Sequence, residues 1–331
     1  EEKTMPVTLA QAKLNATDDI DVNVIDEFAK NNFLLQTLTF DDVVNQAGAG
    51  ATMTSGYTRL ITQADAAFRA INSEYTPAEV TKQRYTVDLK PLGGAFQIDR
   101  VLNRVAAAAE TTLQMTQKIK ATNAKFNDAV INGDTAVDAN GFDGLSKSLT
   151  ASSTEYGATL SSDWRGVTIG ADQGKANDAL DALDAWLAML DGTPNAILGN
   201  IDAIARIRSL ARRAGYYDRS TSADFGSQVE TYRGIALVDL GAKAGSNNPV
   251  IPTTSKTVAT VAGNYTDIYA VRFGLDGFHG VSMSGAPLVQ TWLPDFTTAG
   301  AVKTGEVELG PAAVVLKATK SAAVFRNILV R

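Results

Sequence analysis

The chain has 331 residues, of which 45% are hydrophobic and 20% charged, and its formal net charge is −6. This composition is typical of a folded protein of about two domains, and the negative charge argues against electrostatic binding of nucleic acid over the whole surface. The absence of cysteine excludes disulfides, zinc–thiolate sites and thiol catalysis, and the single histidine, His279, leaves little for histidine chemistry.

The first forty residues are predicted to form an arm that docks on another surface and is not a domain of its own. A short helix is expected near Asp19–Asn31, followed by the apolar stretch "FLLQTLTF" at 33–40. The segment "AGAGATMTSG" at 47–56 predicts a flexible joint. The N-terminal residues do not have the pattern of a signal peptide, and no run of 18 apolar residues predicts a membrane span.

Residues 57–98 are predicted to form a long excursion built around a β-hairpin. In "YTVDLK" at 85–90, apolar and polar residues alternate, which is the pattern of a half-buried strand. Gly93 and Gly94 predict a bend.

A long helix is predicted from Asp99, a good N-cap, to Ile131. A helix of about thirty residues, at 1.5 Å per residue, would be about 45 Å long, so it is predicted to be a structural support of the subunit. One face of the helix repeats apolar residues at intervals of 4 and 7: Met115, Ile119, Phe126 and Val130.

The segment "NDAVINGDTAVDANGFDGLSKSL" at 127–149 is rich in aspartate and glycine, so a calcium loop has to be weighed against a simple helix stop. A loop counted from Asp134 has Ala139 where an EF-hand needs glycine and Leu145 where it needs a bidentate glutamate. The spacing therefore favours the second interpretation, in which Gly133 ends the helix and the aspartates shape turns.

After a loose polar stretch at 150–172, two helices are predicted, the first with an apolar face of Leu180, Leu183, Leu187 and Leu190, the second from about Ile201 to Ala214. Strand-like segments dominate the remainder: "YRGIALVDL", "KTVATV", "YTDIYAVRFG", "GVSM", "AAVVLKAT" and "AAVFRNILV". The order lacks regular strand–helix alternation, so the fold class is α+β.

No motif assembles a catalytic, cofactor or metal site. "GADQGKA" at 170–176 has one residue too few for a phosphate loop, and "GAGATM" lacks the third glycine of a dinucleotide fingerprint. "FHGVSMSG" places His279 near Ser282, but Pro287 disfavours the helix that a nucleophile elbow needs, so His279 is expected to be structural. Four arginines could face an acidic partner or form a solvated helix face: Arg206, Arg208, Arg212 and Arg213.

Taken together, several segments resemble tailed-bacteriophage major capsid proteins, whose fold is named after phage HK97. They are "NNFLLQTLTFDDV", "DAAFRAINSEYTPAEVTKQRYTVDLKPLGGAFQIDRVL", a long helix ending in "NDAVINGD", then "NGFDGLSKSL" and "VELGPAAVVLKATKSAAVFRNILVR". The resemblance follows the family order over nearly the whole chain. It implies an N-terminal arm at 1–47, an extended E-loop at 48–98, a peripheral domain at 99–174 with its spine helix at 99–131, an axial domain at 175–271, and axial-domain returns with closing peripheral strands at 272–331.

The resemblance implies a structural subunit that assembles into pentamers and hexamers of an icosahedral shell around double-stranded DNA, without catalysis, cofactor or sequence-specific binding. Implied partners are the chain itself and portal, scaffolding or decoration proteins; the implied location is the virion, assembled in the cytoplasm of a bacterial host. The alternative is an encapsulin-type shell that packages enzymes. Some family members cross-link an E-loop lysine to an asparagine; Lys82, Lys90 and Asn327 do not align with that chemistry, and no cross-link is expected.

A projecting hairpin buries little surface by itself, so neighbouring subunits are expected to cover its apolar residues. The predicted contact residues are Tyr57, Phe68, Tyr75 and Tyr85, with Arg69, Glu74, Lys82 and Arg84 as polar contacts.

Overall fold

The computed structural model describes residues 33–43, 52–101, 108–214, 219–221, 228–285 and 287–331. The short helix predicted near Asp19–Asn31 lies outside these ranges.

The described part of the arm docks on the body of the protein, as predicted. It contains helix α1 (Phe33–Thr37) and strand β1 (Phe40–Val43). Phe33, Leu34 and Leu38 are buried in the larger of two hydrophobic cores, which accounts for the apolar character of this stretch.

The predicted hairpin consists of β2 (Thr54–Thr62) and β3 (Thr81–Asp88), paired antiparallel, and is followed by β4 (Lys90–Asp99). The alternation predicted for 85–90 is confirmed, because the apolar positions are less exposed than their polar neighbours and Leu89 is buried. We call residues 54–88 the projecting hairpin.

The bend predicted at Gly93 and Gly94 is wrong, since both residues lie inside β4. This strand pairs antiparallel with β15 (Val302–Leu316), and Gly93 is opposite Glu308. A Cβ atom on Gly93 would lie 2.3 Å from the carbonyl oxygen of Val307. The glycine therefore permits close packing of two strands and does not turn the chain.

The long helix is present as α2 (Ala108–Asn132), whose 25 residues span about 38 Å. The Asp99 carboxylate accepts a hydrogen bond from the Val101 backbone at 2.7 Å, as a helix cap does. The predicted face is confirmed: Phe126 and Val130 are buried, and Met115 and Ile119 are partly buried.

One sheet contains β15 at its centre. Strands β13 (Phe278–Met283) and β14 (Val289–Trp292) pair successively along one edge of β15, and β4 pairs along the other. Strand β1 pairs parallel with β13 on the side away from β15. This sheet packs against α2, and the larger core that they form also contains one face of the second sheet, including Leu198, Val238 and Val324.

The second sheet and its helices contain the other core, built around Trp164, Trp186 and Phe325. The elements are β5 (Glu155–Tyr156), β6 (Ser162–Asp163), β7 (Ala196–Gly199), β8 (Arg219–Thr221), β9 (Gln228–Tyr232), β10 (Ile235–Asp239), β11 (Thr254–Val258), β12 (Val261–Val271) and β16 (Ala322–Leu329), with helices α3 (Leu145–Ser148), α4 (Gly166–Ala171), α5 (Gln173–Leu187) and α6 (Ile201–Arg213). The main path of the sheet is β5–β16–β12–β7–β10–β9–β8. Helices and strands are mixed without regular alternation, so the α+β class is confirmed.

Three predictions for this region need correction. The segments "YRGIALVDL" and "KTVATV" each contain a turn between two strands, at Arg233–Gly234 and at Ala259–Thr260. The stretch 150–172 is not loose, since it contains β5, β6 and α4. Strands of two residues, and a turn such as Ala259–Thr260 that has neither Gly nor Pro, leave almost no local pattern in a sequence. Gly234 was a turn signal in "YRGIALVDL" that the prediction overlooked.

The buried face of α5 also differs from the predicted leucine stripe. The helix ends at Leu187, and its buried residues are Ala176, Ala179, Leu183 and Trp186. Small alanines let the helix approach the sheet while Trp186 fills the core. The predicted leucines lie at this face, with Leu183 buried and the other three partly buried against the core, but the alanines and Trp186 were missed.

Candidate functional site

In the aspartate-rich segment, two carboxylates form ion pairs with Lys147 of the same chain. The Lys147 ammonium lies 2.6 Å from the Asp134 carboxylate and 3.0 Å from that of Asp143. The hydrogen bond from Lys147 lowers the pKa of Asp134. Burial opposes ionisation of Asp143, but hydrogen bonds from Thr135 and Lys147 give this carboxyl a lowered pKa as well. Within the described ranges, no group of three acidic or histidine side chains has an arrangement that could hold a metal ion.

The helix stop at Gly133 is confirmed. The Gly133 backbone N–H donates to the Ala129 carbonyl at 2.9 Å and the Gly133 carbonyl accepts from Gly144 at 2.9 Å. A Cβ at this position would lie 2.2 Å from the Phe142 carbonyl oxygen. The loop returns so closely over the helix end that only glycine fits.

His279 and Ser282 do not form a hydrolase pair. The two residues are three positions apart in β13, so their side chains point to opposite faces of the sheet. His279 is opposite Val315, while the Ser282 hydroxyl donates to Asp42 at 3.4 Å.

Two of the four arginines on α6 bind their own chain. The Arg206 guanidinium donates to the Val330 carbonyl at 3.1 Å, and Arg208 makes two bonds to one carboxylate oxygen of Glu230. Arg212 and Arg213 are exposed in the last turn, where they complement the helix dipole.

No helix among the described residues combines the length and apolar character needed to cross a membrane.

The tip of the projecting hairpin carries several exposed apolar side chains. Every residue from 60 to 84 is exposed. Among the predicted contact residues, Phe68 is 108% exposed and Tyr75 is 64% exposed; Ile71, which the sequence analysis missed, is 92% exposed. Three further exposed apolar residues of the hairpin were also missed: Leu60, Ile61 and Val80.

The base of the hairpin is fixed to its own chain. The Tyr57 and Tyr85 rings are stacked with centroids 5.6 Å apart, and the Arg59 guanidinium lies 4.7 Å from the centroid of Tyr85. Tyr57 donates to the Leu316 carbonyl at 3.1 Å, and Arg59 donates to the carbonyls of Leu316 and of Lys317, the latter at 2.8 Å. Burial raises the pKa of the Tyr57 hydroxyl.

The predicted contact residues therefore fall into two groups. Tyr57 and Tyr85 contact their own chain at the base, while Phe68 and Tyr75 lie at the uncovered tip. Arg69 orders the tip: its guanidinium lies 5.3 Å from the Tyr75 ring centroid and donates to the Ser73 carbonyl at 3.2 Å. Three other predicted polar contacts are exposed on the hairpin: Glu74, Lys82 and Arg84.

Replacing Arg59 by methionine is expected to loosen the base of the hairpin. The variant loses the bonds to the Leu316 and Lys317 carbonyls, and charge-assisted hydrogen bonds contribute about 1.5–3 kcal/mol each. We expect at least about tenfold faster amide hydrogen exchange in β2 and β3, measured by mass spectrometry. Arg84→Met, on the exposed part of β3, is the matched control. Equal exchange in both variants would contradict an anchoring role for Arg59.

Comparison with known proteins yields matches in structure alone. No family model and no curated protein matches the sequence. A chain from Mycobacterium phage Ogopogo superposes with a TM-score of 0.60 at 12% identity, covering 97% of this chain and 99% of that one. The SrpI encapsulin complex of Synechococcus elongatus PCC 7942 gives 0.58 at 16% identity, covering 98% and 97%, and the capsid of Myoviridae phage XM1 gives 0.53 at 14%, covering 97% and 99%.

The chain has the HK97-type fold. Coverage of 97% or more in both directions means that the similarity extends over nearly the whole chain. The prediction made from the order of the segments is confirmed at the level of the fold. At these identities, the role of the HK97-type chain has to be argued from its own surfaces.

Proposed function

We propose that this chain is the major capsid subunit of a tailed phage, assembling into pentamers and hexamers of an icosahedral shell around double-stranded DNA. The observation that carries the proposal is the apolar tip of the projecting hairpin, which is uncovered on an HK97-type fold. Burying a large apolar side chain is worth about 1.5–3 kcal/mol, and the tip presents several. A neighbouring copy of the chain that covers the tip would gain that free energy, so the role of the hairpin is to join subunits.

A division into peripheral and axial domains is part of this proposal. It is supported by the helix packing on the two sheets: α2 packs on the sheet around β15, whereas α5 and α6 pack on one face of the second sheet, whose other face belongs to the larger core. The arm, residues 1–47, and the loop, residues 48–98, would extend from the peripheral domain.

The shell would have no catalytic role, and its partners would include portal, scaffolding or decoration proteins. With a net charge of −6, the chain would enclose the DNA without binding it tightly, and counterions would neutralise most of the phosphates. The virion is the proposed location, after assembly in the cytoplasm of the bacterial host.

An encapsulin-type shell with enzyme cargo is the second candidate, and similarity to the SrpI encapsulin complex favours it. We prefer the phage capsid because the arm and hairpin segments resemble phage capsid proteins in order and pattern. Particle contents distinguish the two candidates: a phage shell from its natural source holds DNA, and an encapsulin shell holds enzyme without a genome.

Negative-stain electron microscopy of the purified full-length chain tests the shared part of the proposal. We expect closed shells or hexameric sheets at high protein concentration, with or without a crowding agent. Small discrete monomers under all conditions of salt and pH would overturn it. Mass spectrometry and nuclease digestion of particles from the natural source would then decide between DNA and enzyme contents.

A further inference from the structure

His279 is buried without a well-formed hydrogen bond to its ring, although the Gly277 backbone lies close enough to raise its pKa. The side chain is 0% exposed, and neither ring nitrogen has a hydrogen-bond partner among the described residues. Buried polar groups are nearly always hydrogen-bonded, so an unbonded imidazole is unusual. The residue lies in β13 with β15 on one side and the arm strand β1 on the other, where the backbone N–H of Gly280 donates to the Thr39 carbonyl at 3.0 Å.

The charged groups around the imidazole come from three elements. Asp41 lies on β1, Lys317 directly after β15, and Asp276 in the turn before β13, and the Lys317 ammonium is 3.8 Å from the Asp41 carboxylate. Burial, reinforced by Lys317, lowers the pKa of His279 below its ordinary value, although Asp41, the Gly277 backbone and Asp276 act in the opposite direction. The neutral form is therefore favoured while β1 is in place.

Strand β1 is the most weakly held neighbour of the strand that carries this histidine. It has four residues and, among the described strands, it pairs with β13 alone. Both Asp41 and Asp42 are exposed, and the ring of Phe40 rests on Gly280. Strand β15, in contrast, is held on both edges by β13, β14 and β4. Displacing β1 is thus the cheapest way for a charged imidazole to reach water.

We propose that protonation of His279 releases β1 from β13, which makes the docking of the N-terminal arm on the body of the protein acid-sensitive. The proposal rests on the arrangement of these strands, whether or not the chain forms a shell. The released form exposes His279 and binds the proton more tightly than the docked form. Docking of β1 is therefore complete above about pH 6.5, the ordinary pKa of histidine, and weakens as the pH falls below it.

Hydrogen exchange of the full-length chain, read by mass spectrometry after labelling at pH 7.5 and pH 5.0, tests this proposal. Labelling times are scaled to remove the pH dependence of intrinsic exchange. We expect at least about tenfold faster corrected exchange at pH 5.0 in peptides covering 38–43, because each pKa unit corresponds to a tenfold change, and no change in 112–131 of α2. Equal corrected exchange of 38–43 at the two pH values would overturn the proposal.

His279→Leu distinguishes an acid response caused by the imidazole from one caused by the nearby carboxylates. The variant keeps Asp41, Asp42 and Asp276, so we expect it to lose the acid response of β1 entirely. If the response persists in full, carboxylate protonation causes it and the proposal fails.

Two further variants retain His279, so they test the proposal even if His279→Leu does not fold. Lys317→Met removes the cation that makes the charged imidazole unfavourable in the docked form, so release is expected to move to lower pH. Asp41→Asn removes the anion that stabilises the charged imidazole in the docked form, so release is expected to move to higher pH. Simple weakening of β1 would instead raise exchange at every pH in both variants, and midpoints that do not move in opposite directions would overturn the proposal.

Discussion

Replacing Phe68, Ile71 and Tyr75 together by serine is expected to abolish particle formation while the subunit remains folded. All three side chains are exposed at the tip of the projecting hairpin, and the tip makes no contact with either hydrophobic core. Removing them therefore changes the free energy of unfolding of the single subunit very little. In an assembly that buries the tip, the loss would be on the order of 5 kcal/mol or more per subunit.

A loss of that size corresponds to a more than thousandfold weaker association, since 1.36 kcal/mol is one factor of ten. Sedimentation velocity and electron microscopy would measure particle yield, and circular dichroism would confirm that the subunit is folded. Gln63→Ser/Glu79→Ser is the matched control, because it changes polar residues of the same hairpin. Normal particle yield from the triple variant would show that the tip does not join subunits.

The sequence pointed to part of this surface for a physical reason. Phe68 and Tyr75 are aromatic residues in an otherwise polar stretch, and such side chains are stabilised by burial. The hairpin pattern around them indicated that their own chain does not bury them. Ile71 was missed because a single aliphatic residue in a loop has no periodic neighbour to mark it. The assignment of Tyr57 to a partner is not supported, because its hydroxyl bonds to Leu316, which is 259 residues away in the chain.

Long-range packing accounts for the other differences between prediction and structure. Gly93 resembles a bend residue, and its close approach to Val307 becomes visible only when β4 is placed beside β15. Helix α5 was identified by its leucines, and Leu183 is buried as that pattern predicts, but the fit to the second core also places Ala176, Ala179 and Trp186 inside. The order of segments was sufficient for the fold, because arm, hairpin, long helix and closing strands each have a strong local pattern.

Arg326 is a second group that local pattern could not reveal. It lies in β16, and its guanidinium uses all five N–H donors: Nε to Glu155 at 2.7 Å, Nη1 to the Ser146 hydroxyl at 3.0 Å and to Asp267 at 3.1 Å, and Nη2 to the Ser146 carbonyl at 2.8 Å and the Thr150 hydroxyl at 3.2 Å. The side chain is only 14% exposed, and Glu155 is 10% exposed. One residue thus joins α3, β5, β12 and β16.

Replacing Arg326 by leucine is expected to destabilise the subunit by about 3–5 kcal/mol, the usual cost of removing one partner from a buried ion pair. The two carboxylates, of Glu155 and Asp267, would be left close together without a counter-charge. Arg326→Lys should recover part of the stability, since lysine restores the charge but offers three donors without the planar fork.

Urea unfolding of the unassembled subunit, followed by tryptophan fluorescence, would measure these free energies. Fluorescence is suitable because Trp164 and Trp186 are buried in the core that also contains Phe325, the neighbour of Arg326 in β16. Arg212→Leu, at an exposed position on α6, is the control and should change stability by no more than about 0.5 kcal/mol. If Arg326→Leu unfolds within about 1 kcal/mol of the unmodified chain, the guanidinium does not hold these four elements together, and apolar packing alone stabilises the junction.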